Sequence, residues 1–145
     1  MRNRILVVLG LLVLSIVAGS FQAVAKEPDV IVVQHILIGF KKSIPNKQLE
    51  RTKKDARALA EELLQRASDG DEFAPLVEEY TNDSYPGIYK LSNTKAPLLP
   101  DARQRKEMVS AFGNTAFRLE IGEVGMAKYN SMTSPYGWHI IKRLE

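Results

Sequence analysis

Residues 134–145 read Ser134-Pro135-Tyr136-Gly137-Trp138-His139-Ile140-Ile141-Lys142-Arg143-Leu144-Glu145. A Pro-Tyr-Gly turn feeds a β-prone run in which one of the two histidines of the sequence sits between Trp138 and Ile140. The other histidine is placed in the same way. Val30-Ile31-Val32-Val33-Gln34-His35-Ile36-Leu37-Ile38 is the strongest strand signal in the chain, nearly all β-branched or aliphatic, with His35 in its middle. Two buried strands therefore each carry one imidazole.

Working outward, residues 1–25 read as a secretion signal. Arg2 and Arg4 supply positive charge, Ile5 to Val17 an apolar run broken only by Gly10 and Ser15, and Ala23-Val24-Ala25 a small-residue cleavage site before Lys26. The expectation is a signal peptide, then a single domain over 26–145 in a periplasmic or secreted compartment. The alternative is an uncleaved membrane anchor, although the run is short for a bilayer span. There is no cysteine for disulfides or lipid attachment. The leader holds two arginines and no acid, so the formal net charge of +3 falls to +1 without it, and nucleic-acid binding gains no support.

Past the polar Lys26 to Asp29 tether and the His35 strand, Gly39 and a basic loop with Pro45 lead to Asn46, a helix cap by residue type. From Lys47 to Ser68, Leu49, Ala56, Leu59, Ala60, Leu63, Leu64 and Ala67 recur with helical period. Asp69-Gly70-Asp71 stops that helix, and Glu72 to Tyr80 forms another with Pro75 in its first turn. A dense turn over residues 81–87 precedes a weak strand, Ile88 to Leu91, and an irregular stretch to Arg105. Met108, Phe112, Ala116 and Leu119 make a third helical pattern up to Gly122. Val124 to Tyr129 and the His139 run supply the last strands. Strands that do not alternate strictly with helices indicate an α+β fold with a small, mainly antiparallel sheet. Its first and last strands can lie side by side at the centre.

The residues by themselves exclude several chemistries and select none. Two histidines without cysteine or a carboxylate at ligand spacing make a poor metal site. No Gly-x-Ser-x-Gly marks a nucleophile, and no Gly-rich loop opens a phosphate site. A histidine within a strand is commonly a buried imidazole satisfied by hydrogen bonds, and that reading stays open.

Four stretches carry a family resemblance. Residues Val33 to Ile38 resemble the opening strand of the parvulin-type peptidyl-prolyl isomerases. Gly70-Asp71-Glu72-Phe73-Ala74-Pro75-Leu76-Val77-Glu78-Glu79-Tyr80-Thr81-Asn82-Asp83 resembles their second helix and the turn after it. Met108 to Phe112, Ala116 to Leu119 and Ile121 to Val124 resemble their third helix and the strand it leads into, and Tyr136 to Lys142 their closing strand.

The resemblance implies four antiparallel strands with surrounding helices, the FKBP-like superfold, and a shallow site floored by the pair His35 and His139. By position, Asp83 is the acid beside that pair, and Ser134 the hydroxyl that hydrogen-bonds the histidines. Met108 and Phe112, on one helix face, form the apolar pocket for the proline ring, with Ile88 as one wall and Tyr136 at the rim. Where the family carries a Gly-Gly-Asp-Leu-Gly-like strand, this chain has Tyr85-Pro86-Gly87-Ile88-Tyr89-Lys90-Leu91 and then an insertion to Glu107. No basic cluster stands where some members read phosphoserine. The implied activity is isomerisation of X-Pro bonds in exported proteins, without cofactor or metal, on proline-containing unfolded or extended polypeptides; a membrane enters only with an uncleaved leader. A parvulin-fold chaperone that binds extended peptides with little turnover is the second reading.

Overall fold

The computed structural model describes residues 26–145, so the leader lies outside the described residues. Strand β1 (Val30–Ile38) is followed by helices α1 (Lys53–Ser68) and α2 (Phe73–Tyr80), strands β2 (Ile88–Ser92) and β3 (Arg103–Gln104), and a 3-10 turn (Arg105–Glu107). Helix α3 (Ser110–Ala116), β4 (Val124–Ala127) and β5 (Trp138–Arg143) complete the order. The sheet runs β3-β2-β1-β5-β4, antiparallel throughout except for the parallel β2/β3 pair. The expected four antiparallel strands are thus present, and the insertion adds a two-residue fifth at one edge.

Central position explains the composition of β1. Its side chains alternate between two faces, and both faces are covered. Ile36 and Ile38, with Trp138 and Ile140, pack against Ala56, Ala60 and Leu63 of α1 and Phe73, Leu76 and Val77 of α2. On the other face Ile31, Val33, Leu91 and Ile141 pack against Phe112 and Ala116 of α3. Each buried Ile, Val, Leu or Phe among them contributes about 1.5–3 kcal/mol by leaving water, so a run that is apolar on both faces belongs in the middle of the sheet. The register pairs Leu37 with His139 and His35 with Ile141. His35 and His139 therefore point to the same face, the one under α3.

Gly137 makes this register possible. Its φ is +147, and a Cβ there would lie 2.1 Å from the carbonyl oxygen of Ile38, so the turn into β5 can approach the end of β1 only with glycine.

Three expected boundaries differ. Helix α1 starts after Thr52, not after Asn46: the Thr52 hydroxyl accepts from the backbone N–H of Asp55 at 3.1 Å, while Asn46 sits in a left-handed turn with φ 61. The residues between run past the end of β1, where Lys41 N–H donates to Arg51 O, and Leu49 covers Gly39. Helix α3 begins at Ser110, and Met108 lies before it with extended φ −87 and ψ 154. Capping of the preceding 3-10 turn by Gln104 and Glu107 holds residues 105–107 as a separate element. The β4 strand ends at Ala127, because Asn130 turns back to bridge Ser134.

Candidate active site

Under α3, a cavity of about 330 Å³ is lined by His35, Asp83, Met108, Phe112, Tyr136 and His139, among others. These are six of the eight site residues expected from sequence. A larger depression of about 1100 Å³ opens around Asn93 and Arg118. It contains no imidazole, and its Arg105 and Glu27 are paired with each other; the smaller cavity is the chemically equipped one.

His35, 1 % exposed, is held on every side. Its Nδ1 lies 3.0 Å from Gly87 O and its Nε2 3.2 Å from Asp83 Oδ2. Gly87 supplies the first contact because its φ of +66 and the absence of a side chain let the turn close on β1; a Cβ would stand 2.7 Å from His35 O. A carbonyl only accepts, so Nδ1 carries a hydrogen. An ionised Asp83 likewise only accepts, and it faces the second ring nitrogen, Nε2. The hydrogen bond from His35 holds the Asp83 carboxyl well below the usual carboxylate range, against the opposing effect of partial burial.

The rings form one cluster. Tyr89 stacks on His35 with centroids 5.0 Å apart and planes at 28°, and its hydroxyl donates to Asp83 Oδ2 at 3.2 Å. Burial, and then the Asp83 charge, push the Tyr89 hydroxyl pKa upward. Phe112 presents itself edge-on to both imidazoles, 5.2 Å from His35 and 5.3 Å from His139. The imidazoles themselves are 5.8 Å apart between centroids, tilted by 38°. They are adjacent but do not share a hydrogen bond.

His139 is 6 % exposed, and neither ring nitrogen has a partner among the described residues. Burial, reinforced by the nearby His35, lowers its pKa to about 3, so it is neutral at physiological pH. One buried imidazole is saturated with partners, and the other is neutral with one donor and one acceptor unused.

Three expectations for the site are corrected. Ile88 is 46 % exposed and pairs with Gln34, which puts its side chain on the sheet face opposite to His35. Tyr89, one residue on, takes the place expected of Ile88. Ser134 is fully buried, but its hydroxyl donates to Gly137 O at 2.9 Å and hydrogen-bonds neither histidine; it fixes the turn into β5. Phe112 is 1 % exposed and belongs to the core as much as to the cavity. Met108 reaches the same cavity from outside the helix, and Tyr136, 40 % exposed, also lines it. Tyr89 was missed for want of one step: the alternation Tyr89, Leu91 names the inward face of β2 once Leu91 is taken as core.

Among the described residues, no group of three His, Cys, Asp or Glu side chains stands close enough together to hold a metal ion.

The profile of the PPIC-type PPIase domain matches residues 20–145. Chaperone SurA of Chromohalobacter salexigens is 31% identical over 112 residues, 76% of this chain and 21% of that protein. Foldase protein PrsA of Bacillus subtilis is 33% identical over 86 residues, 59% of this chain and 26% of that protein. The chain thus spans about a quarter or less of the length of these relatives. In fold it is similar to the solution structure of TbPIN1, with a TM-score of 0.59 at 20% identity, covering 81% of this chain and 98% of that one. It is also similar to peptidyl-prolyl isomerase ESS1 from Candida albicans, with a TM-score of 0.53 at 21% identity over 81% of this chain and 63% of that one. Since the matched stretch takes in every described element, the chain belongs to the PPIC-type PPIase domain family, whose activity is peptidyl-prolyl cis-trans isomerisation.

Proposed function

We propose that the cavity under α3 seats the proline of an extended polypeptide and catalyses rotation about its X-Pro bond without a covalent intermediate. The observation that carries this reading is the ring cluster: an apolar edge, Phe112, between one imidazole hydrogen-bonded to Asp83 and one neutral imidazole without a partner among the described residues. The uncatalysed bond crosses about 18–20 kcal/mol in tens of seconds or longer. A ten-thousandfold acceleration requires about 5.4 kcal/mol of transition-state stabilisation. The planar amide is strongly dipolar and the twisted one less so. Moving the bond from water onto Phe112 and Met108 therefore disfavours the planar form relative to the twisted one. His139 can donate to or accept from peptide atoms that have left water, while the His35–Asp83 pair fixes the field across the floor. No step needs a nucleophile.

A protease-coupled assay on a prolyl tetrapeptide tests the reading. The purified protein is expected to accelerate cis-to-trans relaxation, and Met108→Ala to lower kcat/KM by about tenfold, the worth of an apolar side chain lost from the pocket. Met108 is only half-buried, so its truncation should move the unfolding midpoint little. Peptide binding without turnover in the parent protein would favour the chaperone reading instead.

The same proposal extends to location. The leader-like residues 1–25 and the relatives named as a chaperone and a foldase support an exported domain, periplasmic or secreted, that acts on proline-containing unfolded clients. Mass spectrometry of protein recovered from an exporting host should find an N-terminus at Lys26. A membrane-bound product retaining Met1 would replace this with the anchored form.

A further inference from the structure

Four charged side chains line the cavity: Lys47, Asp83, Arg103 and Glu107. Three make hydrogen bonds within the fold. Asp83 accepts from His35 and Tyr89. Glu107 accepts from the backbone N–H of Gln104 at 3.0 Å, closing the cap of the 3-10 turn. Lys47 Nζ donates to Asn82 O at 2.6 Å. Arg103 differs: among the described residues its guanidinium has neither a carboxylate within ion-pair distance nor a hydrogen-bond acceptor. Its position is nevertheless set. Strand β3 pins its backbone beside Leu91, and its guanidinium carbon lies over the Tyr89 ring at 5.0 Å from the centroid. Guanidinium, phenol and imidazole thus follow one another across the cavity wall, since Tyr89 itself stacks on His35. The insertion that departs from the family pattern is what brings this cation to the site.

We propose that Arg103 is a specificity-determining residue that favours X-Pro segments bearing a carboxylate side chain beside the proline, an inference that rests on the isomerase reading of the cavity. A guanidinium placed over an aromatic ring, with no acceptor of its own among the described residues, has its N–H fork available, and that fork matches a carboxylate with two parallel hydrogen bonds. A phosphate dianion fits less well. Asp83 and Glu107 face the same cavity with negative charge, which Lys47 and Arg103 only balance, so a dianion would leave the cavity with a larger negative excess than a carboxylate.

The test uses two peptides identical except for Glu or Gln before the proline, assayed at low salt with the parent protein, Arg103→Gln and Arg103→Lys. The parent is expected to show kcat/KM about three- to fivefold higher on the Glu-Pro peptide, the range of a solvent-accessible ion pair, with the ratio falling toward one as salt is raised. Arg103→Gln should bring the ratio to one, and Arg103→Lys should keep part of it. A ratio of one in the parent, or an undiminished ratio in Arg103→Gln, overturns the assignment. A phosphoserine-Pro peptide favoured over Glu-Pro by more than about tenfold would overturn the carboxylate class, since one exposed pair cannot supply that much. Should the parent turn over neither peptide, the isomerase reading fails by itself. NMR titration with the same two peptides then decides the charge preference: tighter binding of the Glu peptide that is lost in Arg103→Gln upholds it, and equal affinities sink it.

Discussion

Phe112→Ala is expected to cost about 3–5 kcal/mol of folding stability and to remove most isomerase activity from the molecules that remain folded. From sequence, Phe112 reads as a pocket residue whose loss would spare stability. The structure requires both effects, because the ring is 1 % exposed and touches the core cluster and the two imidazoles at once. Truncation opens a cavity between α3 and the sheet and leaves His35 and His139 without their common apolar neighbour. Leu63→Ala is the matched control: it is fully buried in the other core, under α1, and should cost about 2–5 kcal/mol while kcat/KM per folded molecule stays near the parent value. Urea unfolding read with the activity of each variant below its melting temperature separates the two. A Phe112→Ala protein with a midpoint close to that of the parent would contradict the packing described here; one with full specific activity would remove Phe112 from the site.

The second large effect is acid lability. A buried histidine whose pKa falls from 6.5 to about 3 on folding is neutral in the native state and charged in the unfolded state at every pH between those values. The unfolded chain then binds the extra proton, so stability falls as pH falls. The contribution is fully present above pH 6.5 and is lost progressively toward pH 3. At pH 4.5 the loss from His139 alone amounts to about 2–3 kcal/mol, a large share of a small domain's total. Asp83 and Glu27 also have lowered pKa values, but their contributions are present above the ordinary carboxylate values of 3.8 and 4.5 and drop only near and below them, so the window between pH 6.5 and 5 lies above both carboxylates. Denaturant midpoints of the parent protein should fall steeply across that window, and those of His139→Asn should fall much less. Parallel slopes for the two proteins would mean that His139 is not desolvated.

The ring cluster also shows where reading the sequence stops. Alternation along Val30 to Ile38 and Trp138 to Arg143 is legible because successive side chains on a strand must point to opposite faces. Whether two strands present the same face to each other is not. Sliding β5 by one residue against β1 would send His139 under α1 and destroy the site. The offset is held by the Gly137 approach to Ile38 and by packing on both faces, contacts far apart in the chain. The same one-residue step separates the exposed Ile88 from Tyr89. Met108 lines the cavity, but not from the helix face that the spacing suggested, since the residue is extended and lies outside the helix.

Sequence by itself determined the α+β class, the two central strands and the body of α1 and α2. Those follow from side-chain periodicity and Gly and Pro stops, which act between near neighbours in the chain; the pairing of the two imidazoles came from family resemblance alone. Only the tertiary structure decided that His35 is saturated by Gly87 and Asp83 while His139 has no partner among the described residues, that Ser134 is spent on its own turn, and that an insertion delivers Arg103 to the rim. Those depend on register, on burial and on which partner is left over once every other polar group is satisfied. Such properties arise from distances of two or three ångströms between residues tens of positions apart, and no local pattern encodes them.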